Sequence, residues 1–210
     1  MKPILSFFII VIFVLTGCFS EKKVERRYYT IEIPKDLIPA KTDSISEVKG
    51  SCEIERVVVN DIYAKNQIVN KVRSNEISYF VYNQWAVNPS DAVTQLIGDY
   101  FEVAGIFQNI SDRNRRSIPD FRFRTYIDNL ELIETGKSFS AHLTLEFKLI
   151  GNSDNRTLVS YKADRVNPLE QKDLNLFAHE ISSIIIQELN KFTGMILDER
   201  ELISRYPGKK

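Results

Sequence analysis

Cysteine is almost missing from this chain. Its 210 residues hold two, Cys18 and Cys52, which cannot build a disulfide framework. Histidine is equally scarce, with His142 and His179 far apart in sequence. There is no His cluster, no paired CxxC and no HExxH, so no metal site is expected. Eight glycines and seven prolines are too few for a Gly-rich linker or a collagenous segment. Neither common Gly-rich phosphate loop occurs, and no GxSxG elbow, so the chain shows no nucleotide cofactor motif and no serine-hydrolase motif. It reads as a non-enzyme without a cofactor. An excess of one charge is also lacking, since 28 Lys+Arg face 28 Asp+Glu. That balance argues against a nucleic-acid partner, which needs bases to meet phosphates. With 43% hydrophobic and 27% charged residues, the composition is that of a folded globular chain rather than a disordered one.

A long apolar run is lacking as well. The N-terminal one, Ile4 to Leu15, is broken by Ser6 and falls short of the roughly 20 residues of a membrane-spanning helix. A short basic start, this apolar core and the small residues Thr16-Gly17 instead make a secretory signal peptide over residues 1–17. Leu15-Thr16-Gly17-Cys18 resembles the bacterial lipobox. That resemblance implies a diacylglyceryl thioether on Cys18, cleavage before it, and acylation of the new amine by a palmitate-like chain. Several acyl chains make a durable anchor. Phe19 rather than Asp follows the Cys, which points to the outer membrane, facing the periplasm, over the inner membrane. With Cys18 lipidated, Cys52 has no partner. It reads as a small buried hydrophobe rather than a reactive thiol, since no His neighbours it.

Residues 18–27 form a polar, charged tether, and extended chain from Phe19 to Arg27 reaches at most roughly 30 Å. The domain spans residues 28–197. Strands are expected at Tyr28–Ile33 (stopped by Pro34), Cys52–Asn60 and Ile77–Tyr82, with a short edge segment at Gln67–Val69. A helix follows, capped by Asn88 or Ser90, with Val93, Leu96, Ile97, Tyr100, Phe101 and Ala104 on one stripe and Gly105 as its stop. Ile106–Ile110 is a short strand. Phe121–Ile133, Phe139–Ile150 and Thr157–Val166 form a β-meander, ended by Pro168. The middle strand alternates cleanly, with Phe139, Ala141, Leu143, Leu145, Phe147 and Leu149 on one face. Asp173 caps a last helix with an apolar stripe from Leu174 to Ile196, and 198–210 is a charged tail. The fold class is α+β: a two-layer sandwich, mostly antiparallel sheet with a β-meander and two packed helices.

Little chemistry remains. Arg113, Arg115 and Arg116 cluster in an exposed loop, a contact candidate for acidic groups or a partner. His142 and His179 read as solvated or packed. Trp85, Tyr79, Phe80 and Tyr82 form an aromatic patch read as core, with Trp85 between the sheet and the Val93–Ala104 helix. Because both helices commit their apolar stripes to the core, binding is expected at sheet edges or loops.

One stretch resembles a known family. Tyr28-Tyr29-Thr30-Ile31, the Val-rich second strand, Gln67-Ile68-Val69-Asn70-Lys71-Val72-Arg73-Ser74-Asn75-Glu76-Ile77-Ser78-Tyr79 and Gln84-Trp85-Ala86 are similar to phrases of the ABC-type transport auxiliary lipoproteins. That family includes the lipoprotein of the paraquat-inducible intermembrane transport system. Where the family has Pro before its Gln, this chain has Asn66, and Val87 stands where an acid often follows Trp-Ala. The resemblance implies a non-catalytic, lipid-anchored periplasmic subunit. Its partners would be an MCE-domain protein and the ABC permease and ATPase of one lipid or solvent transport system. A homo-oligomer is a further partner open to it. The competing reading is a free-standing outer-membrane assembly lipoprotein.

Overall fold

A computed structural model describes residues 24–37, 48–111 and 118–206. Nine strands form one mixed sheet: β1 (Arg27–Tyr29), β2 (Val48–Ile54), β3 (Val58–Val59), β4 (Gln67–Arg73), β5 (Glu76–Trp85), β6 (Phe107–Ser111), β7 (Phe121–Thr135), β8 (Ser138–Gly151) and β9 (Thr157–Leu169). Three α-helices, α1 (Pro89–Ala104), α2 (Leu174–Asp198) and α3 (Arg200–Ser204), complete the α+β fold.

The long meander is the frame. β7 pairs antiparallel with β8 along its whole length, and β8 with β9. On its other edge β7 takes three separate parallel strands in turn: β2 at Phe121–Phe123, β3 at Tyr126–Ile127 and β4 at Glu131–Ile133. β6 joins β2 in parallel, β5 joins β4 antiparallel, and β1 closes the row in parallel on β5. The antiparallel pairings are the long ones, and the parallel pairings are short.

Alternation decides which face is covered. Ala141, Leu143, Leu145, Phe147 and Leu149 of β8 are fully buried and meet the helices, where Phe147 and Phe123 pack on Phe192 of α2. Phe101 of α1 packs edge-on against Phe123 at 4.9 Å. Tyr100 of α1 donates to Asn190 of α2 at 2.7 Å, so the helices lie side by side on one face. Each side chain of this size, fully buried, contributes roughly 1.5–3 kcal/mol. Asn88 is the cap of α1, accepting from the Ser90 N–H, and Pro89 occupies the first helical position. Gly105 ends the helix at φ 64°, a conformation that an L side chain avoids. Asp173 caps α2 through the N–H groups of Asn175 and Leu176.

Several sequence expectations change. Gln67–Val69 is no edge segment but the start of β4, held between β5 and β7. Its polar residues misled: Asn70 Nδ2 donates to Glu134, and Lys71 pairs with Glu131, both on the distant β7. The Cys52–Asn60 strand begins earlier, at Val48, and breaks into two where Ser90 and Thr94 of α1 bond the backbone of Val57. β1 is shorter than Tyr28–Ile33, because the chain leaves the sheet to pass α2, where Ser182 Oγ accepts from the Glu32 N–H. Pro168 does not end the sheet; it lies inside β9, an edge strand whose outer side needs no donor. Trp85 is buried, but its ring partner is Phe177 of α2 at 5.8 Å. The stretch 198–210, read as a charged tail, carries α3, with Ile203 buried and Tyr206 against Phe121.

Candidate docking surface

The sheet face away from the helices carries a closed polar network. Glu131 of β7 and His142 of β8 are register partners on that face. Glu131 has a side chain only 1% exposed, yet three groups surround it. Its Oε1 lies 2.9 Å from His142 Nδ1 and 3.3 Å from Lys71 Nζ, and Oε2 accepts from Tyr63 Oη at 2.7 Å. His142 Nε2 lies 2.9 Å from Asp164 of β9. Burial pushes the Glu131 carboxyl up, but the bonds from His142 and Tyr63 and the Lys71 charge outweigh it and hold it below its ordinary value. His142 is raised, first by Glu131 and, against some burial, by Asp164. An imidazole between two carboxylates is favoured in its protonated form.

The order Tyr–Glu–His–Asp invites a catalytic reading, which the geometry does not favour. The nearby hydroxyl, Thr144, donates to Asp164 at 2.8 Å and accepts from Asn129. The Tyr63 phenol is directed at Glu131 and raised well above its ordinary value by burial and that bond. The Tyr63 and Thr144 hydroxyl protons are engaged within the network, which ties the Asn60–Lys65 loop, β4, β7, β8 and β9 together. Cys52 is fully buried, its thiol pushed up by burial and Glu53. Among the described residues no cluster of three or more His, Cys, Asp or Glu has metal-binding geometry.

Exposed apolar side chains gather elsewhere, along the β1–β5 side of the sheet. Val81 is 67% exposed, Tyr28 57% and Tyr82 45%. Val24, Ile62, Val72, Ile77 and Val87 are exposed nearby in the chain, and Tyr79 and Phe80 are half-buried. The aromatic patch read as core is therefore divided: Trp85 is core and Tyr82 is surface. β1 covers only Asn83–Trp85 of the β5 edge. The remaining edge, Glu76–Tyr82, holds no Lys, Arg or Pro of the kind that usually blunts an edge strand. Its pairing with β4 slips between Tyr79 and Gln84, which turns Val81 and Tyr82 outward together.

An open groove of about 620 Å³ borders β1 and the start of α2, lined by residues including Arg27, Tyr28, Glu32, Asn175 and His179. Asp173 already satisfies the first free N–H groups of α2, so the helix end offers an anion little.

The two ends of the sheet differ. At one end lie the β4–β5 and β7–β8 turns and the start of α2, fixed there by Lys172 on Glu134 at 2.6 Å. At the other lie Phe121, Gly151 and α3. β1 runs parallel to β5 and away from the first end, so the chain before Arg27 arrives from the turn end. Cys18 and the Arg113, Arg115, Arg116 loop lie outside the described residues. β6 ends and β7 begins at the α3 end of the sheet, remote from Arg27. No described helix is long and apolar enough to cross a membrane.

The crystal structure of a Xanthomonas campestris protein superposes with a TM-score of 0.70 at 17% identity, covering 85% of this chain and 99% of that one. A second, a structure titled only as an uncharacterized protein, gives 0.62 at 12% identity, covering 82% and 99%. At such identities they show a shared fold. No curated protein matches the sequence. The family model for the ABC-type transport auxiliary lipoprotein component matches residues 29–189, which takes in every strand but the start of β1, with α1 and most of α2. The chain belongs to the ABC-type transport auxiliary lipoprotein component family.

Proposed function

We propose that this protein is a non-catalytic, lipid-anchored subunit of an ABC-type, MCE-associated transport system that moves lipids or solvents. It is held in the outer membrane by acylated Cys18 and faces the periplasm. The family match over residues 29–189 carries this reading. The Leu15-Thr16-Gly17-Cys18 sequence supports the anchor, and the inward-spent protons of the Glu131–His142 network support a role without turnover. The partners are an MCE-domain protein and its ABC permease and ATPase. The loop of Arg113, Arg115 and Arg116 is the proposed contact, supported by the position of its flanking strands at the end opposite the tether.

Three measurements test it. Cys18→Ser should abolish palmitate labelling and leave unprocessed precursor; label retained on that variant refutes the anchor. After crosslinking in cells, an MCE-domain protein should co-purify with the wild-type chain. Deleting this gene and the transporter together should be no worse than either deletion alone. Additive phenotypes without co-purification favour the free-standing assembly lipoprotein instead.

A further inference from the structure

We infer that the β1–β5 edge is a membrane-resting surface: Tyr28, Val81 and Tyr82 seat in the lipid headgroup layer beside the anchor, and Arg26 and Arg27 meet anionic headgroups. The inference rests on the lipidated-Cys18 reading above and adds how the domain sits on its membrane. Three observations carry it.

The first is chain length. Cys18 and Val24, the first described residue, are six residues apart, a reach of at most roughly 20 Å. The domain is far longer than that. α2 alone has 25 residues, about 37 Å. An anchor this short holds one particular part of the surface against the bilayer, and that part surrounds Arg27.

The second is the character of that part. Tyr28 pairs in register with Gln84, two residues from Tyr82, and all of Val24, Tyr28, Val81 and Tyr82 are exposed. Tyrosine suits a membrane–water boundary, with an apolar ring and a polar tip. Free exposure of this much apolar surface is otherwise unfavourable to a soluble face.

The third is charge. From Phe19 to Arg27 the chain has four bases, Lys22, Lys23, Arg26 and Arg27, against two acids, Glu21 and Glu25. The chain as a whole is neutral. A local basic excess at the point of attachment complements a bilayer containing anionic lipid.

The test uses the full-length lipoprotein purified from membranes and reconstituted into vesicles of phosphatidylethanolamine with a minority of phosphatidylglycerol. A single cysteine is introduced, Tyr82→Cys in one variant and Leu202→Cys in another, and labelled with a polarity-sensitive fluorophore. Cys18 is blocked by its acyl group and Cys52 is fully buried, so the new thiol takes the label. Leu202 is 68% exposed on α3, at the end away from the tether. The expected result is a blue-shifted label at 82, quenched several-fold more by lipid-borne bromine than the label at 202. A third chain, Arg26→Gln with Arg27→Gln and the label at 82, should lose part of that quenching. Equal, water-like emission at 82 and 202 in vesicles that hold no other protein overturns the inference. So does a label at 82 that becomes protected only when the permease and MCE-domain protein are co-reconstituted, since the edge then belongs to a protein partner. The mass of the N-terminal peptide separates the two levels. An acylated chain with a wet label 82 defeats the surface alone, and an unacylated chain defeats the anchor and the surface together.

Discussion

His142 shows how a side chain with no visible motif becomes structural. In the sequence it is one polar residue on the outward face of an alternating strand. In the fold it faces Glu131 of β7 and Asp164 of β9, with Thr144 beside it, and Lys71 and Tyr63 complete the Glu131 shell. A stability profile follows from the signs. The His142 value is raised above its ordinary 6.5, so its contribution is full below that pH and is lost as pH rises through the folded value. The Glu131 value is lowered from 4.5, so its contribution is full above that pH and is lost as pH falls through the folded value. The network is therefore strongest between 4.5 and 6.5. Urea midpoints should fall as the pH rises from about 6 to about 9. His142→Gln should be less stable at about pH 6 and should flatten that slope. An unchanged slope in the variant would assign the pH dependence to other groups. None of this was readable in advance, because the partners of the Glu131–His142 pair come from three strands and a loop.

At the scale of elements, what was readable is what repeats locally. Every second residue of β8 is apolar, and both long helices carry stripes at helical spacing, so their positions and caps follow from the sequence. The short parallel strands leave no such trace. β4 looked like a minor edge because Asn70 and Lys71 are polar, and the carboxylates that satisfy them are remote, Lys71 to Glu131 being 60 positions and Asn70 to Glu134 64. The exposed β5 edge was hidden for the opposite reason. Ile77 to Tyr82 reads as ideal core strand, and only the slip against β4 turns part of it outward. The last helix was likewise disguised by its charges, although Ile203 and Tyr206 dock it. Its docking can be probed at Gly151, where an added Cβ would stand 2.3 Å from the Tyr206 ring. Gly151→Ala should displace that ring, whose hydroxyl has no hydrogen-bond partner among the described residues, while β8 and β9 hold. Hydrogen exchange should then quicken across residues 200–206 and stay unchanged in Leu143–Leu149. Equal acceleration in both would mean that Gly151 supports the sheet itself.

For the whole molecule, the parallel row along β7 governs how the chain can assemble. β2, β3 and β4 all precede β7, and their partners are remote, as with Ser51 and Asp120, 69 positions apart. β2, β3 and β4 cannot take their places on β7 until the meander exists, and the meander needs the last third of the chain. Pairings of such high sequence separation fold on the millisecond-to-second scale rather than in microseconds. In refolding experiments with pulsed exchange, amides of Phe139–Gly151 should gain protection before those of Gln67–Arg73; the reverse order would place the nucleus elsewhere. A chain delivered N-terminus first thus emerges with its earliest strands unpaired. On the lipoprotein reading proposed above, enzymes that act on the leader and on Cys18 would meet a chain not yet folded, and a holding chaperone would have a long interval in which to grip it. Late self-assembly is built into the order of the strands.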